Sequence, residues 1–148
     1  MADGSDVQRW ATAVSTDLQT DRKIIFRYAE AFRPTFERAS QPIRVFIVWK
    51  YQSERGQPKA EELQRMNLLE DVLEPVLEQS HIATLALVST GEDLREWTYY
   101  AKSEDGFMAC FNFAIAGMSP FPVEIHMEHD PKWDTYERFR AGVKEVVN

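Results

Sequence analysis

The segment 43–51 constrains the fold most, because it is apolar on both faces of a predicted strand. One face carries the alternate residues Ile43, Val45, Ile47, Trp49 and Tyr51. Phe46 and Val48 enrich the opposite face. Such a strand is typical of the middle of a sheet, either covered on both sides or flanked by long side chains.

Further strand segments form two predicted hairpins and a last strand. Residues 8–15 and 23–31 alternate at period two around a polar turn, which is typical of a hairpin. Residues 82–90 and 94–103 flank a tight turn that contains glycine, and they predict a second hairpin. The last strand, 122–128, has three apolar residues inward and three polar residues outward: Val123, Ile125, Met127, Glu124, His126 and Glu128.

Three segments predict helices. In residues 58–79 apolar side chains recur every three or four residues, and glutamates cover the other side. Pro75 should kink or divide this helix, because proline removes a backbone donor. Residues 105–116 are apolar nearly all round, which predicts a buried helix. Asp130 and Pro131 are typical of the cap and the first residue of a closing amphipathic helix.

This order of elements predicts one α+β domain over residues 1–148, with residues 1–6 as a disordered leader. Its middle, residues 43–128, has the order βαββαβ, which is the ferredoxin-like arrangement. Right-handed crossovers would place the strand 43–51 centrally, beside the strand 94–103, with two helices on one face. The N-terminal hairpin would extend the sheet or cover its open face.

Cysteine usage and hydropathy favour a soluble, cytoplasmic protein. Cys110 is the single cysteine, so no intramolecular disulfide can form and a reducing compartment is favoured. The N-terminus lacks the basic and apolar segments of a signal peptide. No stretch approaches the ~20 apolar residues of a membrane helix. We therefore expect neither secretion nor a membrane partner.

The charge of the chain is uneven and net acidic. Residues 1–60 carry 10 basic against 7 acidic residues, and the remainder carries 7 against 17, for a net charge of −7. An acidic surface repels phosphate backbones, so nucleic-acid binding is disfavoured. The mildly basic start is typical of a solvated hairpin face, with a local anion-binding patch as the alternative.

The best candidate for a metal site is the run His126, Glu128, His129 and Asp130. Imidazole and carboxylate groups suit zinc and other divalent ions. On a strand, however, His126 and Glu128 share one face and His129 points to the other. This pattern favours an exposed strand edge followed by a helix cap. The glutamates of the helix 58–79 are typical of a solvated face, and the sequence predicts no metal and no cofactor.

His81 and Cys110 are the other candidates for catalysis. His81 follows a predicted helix end, where a cation beside free carbonyls is favourable, which favours a structural or surface role. Cys110 lies among Met108, Phe111 and Phe113, which indicates burial and not the thiolate-stabilising site of a nucleophile. Neither a nucleophile elbow nor a glycine-rich phosphate loop occurs in the sequence. The sequence predicts no catalytic residue.

The strand 94–103 supplies the candidate binding residues. Trp97 and Tyr99 share one face, and aromatic side chains on a ferredoxin-like sheet can stack on RNA bases. The acidic charge and the missing glycine-aromatic signature favour another interpretation: one aromatic set packs beneath the helices and the other beneath the hairpin or the closing helix. Arg95 and Glu96 open this strand beside an acidic turn, which favours a cross-strand or turn ion pair; alternatively, Arg95 belongs to a possible binding surface. That surface comprises Arg95, Trp97, Tyr99 and Trp49.

Three segments together resemble a known family. They are VWKY at 48–51, TGEDLREWTYYAK at 90–102 and PVEIHMEHDPKWDTY at 122–136. In this order and spacing the chain is similar to the bacterial family called domain of unknown function 695, over nearly its whole length. The first turn departs from the family, which tends to have Asp-Gly where this chain has Asp21-Arg22. The resemblance implies no established activity, and it suggests a distant similarity to the regulator B of ribonuclease E, a protein-binding inhibitor.

Three functions remain open at this point. The leading hypothesis is a non-enzymatic regulatory module that binds another protein through its sheet edge or aromatic surface. The second is a small-molecule or anion-binding domain with weak hydrolase activity, using a cleft near Arg95, Tyr99 and Trp49. The third is an immunity-type inhibitor of a basic enzyme. The identity of the partner and the oligomeric state do not follow from the sequence.

Overall fold

The computed structural model describes residues 5–147, and their side chains as far as residue 143. Of the predicted leader, residues 1–4 lie outside the described residues. Strands and helices follow in this order: β1 (Val7–Thr16), β2 (Lys23–Phe32), β3 (Ile43–Lys50), α1 (Ala60–Gln79), β4 (Ala83–Gly91), β5 (Leu94–Ala101), α2 (Glu104–Ile115), β6 (Val123–His129) and α3 (Asp134–Val147). This order confirms the predicted α+β class. None of these helices is long and apolar enough to cross a bilayer.

The strands form one antiparallel sheet in the order β1-β2-β4-β5-β3-β6. β3 pairs with β5 on one side and with β6 on the other, which confirms its predicted central place. The N-terminal hairpin continues the sheet along β4, with Ile25 opposite Thr90. Because of this extension, the six-stranded order is not that of a four-stranded ferredoxin-like sheet.

A two-residue turn joins β4 to β5 and brings the hairpins together. Glu92 and Asp93 both have positive φ angles, 52° and 64°, as a type I′ turn requires. Just before it, a Cβ at Gly91 would lie 2.6 Å from the carbonyl oxygen of Lys23 in β2. Only glycine permits this close approach of the two backbones.

The two faces of the sheet carry separate cores, because successive residues of a strand point to opposite faces. On β5, Tyr99 lies against Phe107 of α2, with ring centroids 5.5 Å apart, whereas Tyr100 lies against Trp133 beside α3. The larger core joins α1 and α2 to the sheet, and the smaller one joins α3 to it. The predicted division of the aromatic residues between the two helix layers is confirmed.

The start of α3 differs from the prediction. Asp130 does cap the helix, since its carboxylate accepts the backbone N–H groups of Asp134 and Thr135 at 2.9 and 3.2 Å. The helix nevertheless begins at Asp134 and not at Pro131. Trp133, with a φ of 58°, makes an extra turn in between that places its ring in a stack on Tyr100, 4.0 Å between centroids. The free energy gained by burying this indole exceeds the free energy that an earlier start of the helix would contribute.

Two further predictions concern helices. Of the predicted kink or division at Pro75, the division is wrong, because α1 is helical throughout. Pro75 and Asp71 are exposed, so water can solvate the carbonyl of Asp71 that lacks its usual partner. The predicted all-round burial of α2 also fails, since its fully buried residues are Phe107 and Phe111, while Phe113 is 74% exposed. Only one side of α2 packs against α1 and the sheet among the described elements.

Candidate functional site

The four residues of the predicted binding surface lie together beneath α1. Trp49 pairs with Arg95 across β3 and β5, and the next residues on the same face of β5 are Trp97 and Tyr99. All four side chains are buried, including Arg95, which is 8% exposed. The cause is the same-face spacing itself, because α1 and α2 cover this face. The structure therefore brings the predicted residues together but places them inside the molecule.

The polar ends of these residues bind to α1. The Trp49 indole N–H donates to Glu62 Oε2 at 2.9 Å, and the Trp97 indole N–H donates to Glu70 Oε1 at 2.9 Å. These contacts satisfy two indole donors that burial would otherwise leave unpaired. Glu62 and Glu70 were expected on a solvated face, and that prediction is wrong for both. The sequence did contain a signal for this placement: Glu62 and Glu70 each lie four residues from the buried Met66, and residues four apart share one face of a helix.

Arg95 is held by neutral partners. Its Nε donates to Thr90 Oγ1 at 2.8 Å and its Nη1 donates to Asn67 Oδ1 at 3.3 Å. The predicted ion pair with the preceding turn does not form, and Glu92 of that turn pairs instead with Arg22 at 3.3 Å. Burial lowers the pKa of the Arg95 guanidinium, and the nearby Glu70 carboxylate opposes this effect. Arg95 thus ties α1 to the hairpin of β4 and β5.

A cavity that the sequence did not reveal opens between α1 and the β1–β2 hairpin. Its wall is formed by the start of β1, by β2 and β4, and by the acidic side of α1. Arg27 of β2 donates to both carboxylate oxygens of Glu70, at 2.7 and 2.6 Å, and its guanidinium lies 5.3 Å from the Trp10 ring centroid. Glu70 therefore binds Arg27 and Trp97 at once. Trp10 and Arg27 are the residues that sequence reasoning missed.

Tyr99 lines this cavity and is 3% exposed. Burial raises the pKa of its phenol well above the usual range, and the carboxylates of Glu70, Glu74 and Glu78 act in the same direction. The phenol therefore stays protonated at physiological pH. Among the described residues its side chain makes a ring contact with Phe107 and no hydrogen bond.

The N-terminal hairpin also carries most of the exposed bulky apolar side chains. Trp10 and Val14 of β1 are 38% and 49% exposed. Val14 stands opposite Ile25 on β2, and Ile25 is exposed as well. Trp10, Val14 and Ile25 share the face on which Arg27 meets α1, because alternate residues of paired strands lie on one face. We call these three residues the hairpin patch.

The predicted metal candidates do not converge. His126 Nε2 lies 3.3 Å from Glu124 Oε1, and Glu128 pairs with Arg44 at 2.6 Å. Asp130 is turned toward α3 as its cap. Among the described residues no group of three histidine, cysteine or acidic side chains could hold a metal ion.

His81 and Cys110 occupy structural positions. His81 has a φ of 53° just after α1, and its Nδ1 lies 3.4 Å from Asp6 Oδ2. Cys110 is a half-buried free thiol that packs at the margin of the larger core. The exposed position of His81 agrees with the surface role that the sequence favours, whereas Cys110 is less buried than predicted.

The chain therefore has an α+β fold, with an antiparallel sheet and a layer of buried polar side chains beneath one helix. Within this fold class, residues 8–140 match the family model described as a family of unknown function, DUF695, and the chain belongs to that family. No curated protein and no solved structure matches the chain.

Proposed function

We propose that this protein is a non-enzymatic binding module and that a partner protein docks as an extended segment along β1. β1 ends the sheet, so it presents a row of backbone N–H and C=O groups without a partner strand among the described residues. The observation that carries the proposal is the composition of this edge. Ten residues include a single charged side chain, Arg9.

Strand addition requires an edge that another backbone can approach. Lysine, proline and inward charges normally prevent such an approach, and β1 has none of them. In strand addition the main chain supplies affinity, and contacts to alternate side chains supply specificity. The hairpin patch offers such contacts, since Trp10 and Val14 are exposed on one face of β1.

The charge of the neighbouring helix favours a basic partner. α1 carries six acidic residues and one basic residue, Arg65. Complementary charge speeds association and excludes acidic competitors. A partner segment with alternating apolar and basic residues would match both the hairpin patch and α1. In this proposal Arg95, Trp97 and Trp49 fix α1 beside the patch, and Tyr99 lines the space between them.

The finer fold and family predictions fit this proposal. We infer that β4-β5-β3-β6, with α1 and α2, is a ferredoxin-like unit to which the hairpin has been added as a binding edge. The similarity to the regulator B of ribonuclease E, the bacterial origin and the cytoplasmic location stay predictions, and so does the expectation that nucleic acid is not a ligand.

Selection of random peptides displayed on phage against the full chain tests the proposal. The selected peptides are then measured against Thr12→Pro and Ala13→Pro. Neighbouring residues of an edge strand turn their N–H groups alternately to the partner strand and to solvent, so one of the two positions tolerates proline. Circular dichroism identifies the variant that keeps the native fold. His126→Pro and Met127→Pro on β6 are the matched controls.

The expected result is that folded β1 proline variants lose peptide binding while folded β6 proline variants keep it. Binding that survives proline in β1 would overturn the proposal, and so would binding that β6 proline abolishes. Sedimentation velocity supplies the remaining outcome. A wild-type dimer that the β1 proline separates would assign the edge to a second copy of this chain and contradict a foreign partner.

A further inference from the structure

An open groove lies between β1 and α3, on the face of the hairpin opposite to the hairpin patch. We call it the α3 groove. Its volume is about 630 Å³, and ligand sites typically have roughly 300–1,000 Å³. It is lined by residues 12–16 of β1, by Phe26 and Tyr28 of β2, and by four residues of α3. Since β1 itself forms one wall, the α3 groove is continuous with the proposed docking edge.

Small side chains on β1 leave the α3 groove open. On this face Ala11 and Ala13 stand opposite Tyr28 and Phe26 of β2. The ring of Phe139 in α3 packs on both β2 rings, with centroids 5.0 Å from Phe26 and 5.2 Å from Tyr28. α3 therefore packs on β2, and the space above Ala13 stays open to solvent. The floor beside that space is aromatic.

Gly142 keeps the α3 wall of the groove low. It lies inside α3, where glycine lowers stability relative to alanine. Its φ is not in the left-handed region, and a Cβ built on it would meet no described atom within 4 Å. The described contacts therefore do not require glycine at this position. A side chain here would narrow the groove, so a group that packs against α3 from outside explains the glycine.

The two faces beside β1 carry opposite charge. The described lining of the α3 groove has one charged residue, Arg138, which is exposed and pairs with none of the described acidic residues. On the other face, α1 carries six acidic residues and one basic residue. A strand docked on β1 turns its side chains alternately to the two faces. Basic side chains are attracted toward α1 and repelled by Arg138, which fixes the face that turns to α3.

We propose that the α3 groove receives bulky apolar side chains from alternate residues of the docked strand, with one carboxylate of that strand beside Arg138. This inference rests on the proposed function and adds the chemistry of the partner, whose basic residues face α1. Neighbouring strands lie about 4.8 Å apart. A leucine or phenylalanine of the docked strand can therefore lean across Ala13 toward Phe139 and Val143. Burial of its apolar surface there favours binding.

Fluorescence anisotropy of a labelled phage-selected peptide on two α3 variants tests the apolar contact. Gly142→Leu fills space that the peptide side chain needs, so affinity should fall about tenfold. Ala141→Leu adds the same side chain to an exposed neighbour outside the groove lining, and its affinity should equal that of the wild type. Leucine favours helix in both variants, so their melting temperatures should not fall below that of the wild type.

A charge exchange tests the contact with Arg138. Peptide pairs carry glutamate or lysine at one position of the apolar face, with each such position tested in turn. At one position the wild type should prefer glutamate about threefold, as expected for a surface ion pair, and Arg138→Glu should prefer lysine there. Lys132→Glu makes the same charge change at an exposed residue outside the groove lining, and it should keep the preference of the wild type.

The outcomes separate this inference from strand addition. Wild-type affinity of Gly142→Leu, with no reversal of preference in Arg138→Glu, would overturn the inference. If proline in β1 still abolished binding in that case, strand addition would stand without the α3 groove. Equal losses in Gly142→Leu and Ala141→Leu would also overturn the inference, because the whole helix and not the groove would then be responsible. Binding that survives proline in β1 but not Gly142→Leu would overturn strand addition and leave the groove as the site.

Discussion

β1 and β6 are the two edges of one antiparallel sheet, and they differ in length and charge. β6 has seven residues, of which Glu124, His126 and Glu128 are exposed along its outer face. β1 has ten residues and a single charge. The backbone of both edges offers the same kind of unpaired hydrogen-bonding groups, so the edges are distinguished by their lengths and side chains.

The charges of β6 are tied to the neighbouring strand β3. Glu128 pairs with Arg44 at 2.6 Å, and Glu124 lies 3.5 Å from Lys50. A hydrogen bond from His126 and the charge of Lys50 lower the pKa of the Glu124 carboxylate. Such an edge resists pairing with a further strand, because its charges would lose water. The comparison indicates that pairing at one edge is blocked and pairing at the other is left available.

The largest expected effect tests whether both edges belong to one cooperative sheet. Trp133→Ala removes a fully buried indole that stacks on Tyr100, and the free energy of unfolding should fall by about 3–5 kcal/mol. Urea denaturation measures the loss, and amide hydrogen exchange should show both edges losing protection together. Phe113→Ala, at a 74% exposed site, should change stability by less than about 0.5 kcal/mol. Protection lost at β1 alone would divide the sheet into two units.

The next largest effect concerns Asp130, which follows β6 and caps α3. Burial opposes ionisation of Asp130, but hydrogen bonds from the Tyr100 hydroxyl and from the N–H groups of Asp134 and Thr135 outweigh it and lower the Asp130 pKa. Asp130→Asn should therefore reduce the free energy of unfolding by about 1–2 kcal/mol at pH 7. Asp134→Asn, at an exposed first-turn residue, is the control and should cost less.

The pH dependence follows from the sign of that shift. A carboxylate with a lowered folded-state pKa stabilises the fold above its unfolded pKa, near 3.9, and this stability is lost as the pH falls through the lower folded value. The difference between wild type and Asp130→Asn should shrink over that acidic range. A difference that stays constant down to pH 2 would contradict the role of the ionised carboxylate.

Much of the fold follows from local patterns in the sequence. Period-two alternation predicts the strands because alternate residues lie on opposite faces of the sheet, and one face is covered more than the other. On β6, for example, Val123, Ile125 and Met127 lie on the covered face, and Glu124 and His126 lie on the exposed face. Eight of the nine element starts lie within two residues of the prediction. The exception, α3, depends on a tertiary event, the insertion of Trp133 beside Tyr100, which no local pattern contains.

The candidate site was predicted only in part. The grouping of Arg95, Trp97, Tyr99 and Trp49 follows from strand periodicity, but their burial depends on which helix covers that face. The cavity joins β1 and β2 to α1 across more than 40 residues of sequence, as in the Arg27–Glu70 pair. Single-sequence patterns cannot pair Arg27 with one glutamate among the several on α1.

The smallest expected change in stability comes from substitutions on β6 that should make this edge as open to pairing as β1. Replacing Glu124 and Glu128 with threonine removes both exposed carboxylates of β6 and should change the free energy of unfolding by less than about 1 kcal/mol, since their ion pairs with Lys50 and Arg44 lie at the surface. The double variant should self-associate at high concentration in sedimentation velocity, since an uncharged edge can pair with a second copy. Glu61→Thr, which removes charge away from the sheet edges, should stay as the wild type does. A monomeric double variant would show that charge does not block β6.

The central claim is that β1 is the edge open to a partner, and NMR mapping of a bound peptide tests it most directly. A phage-selected peptide is titrated into the ¹⁵N-labelled full chain, and the shifts of backbone amides are assigned to strands. We predict that the largest shifts lie in Val7–Thr16, with smaller ones at the hairpin patch, and that the amides of Val123–His129 do not move. Largest shifts along β6, or on α2 with β1 unperturbed, would contradict the account.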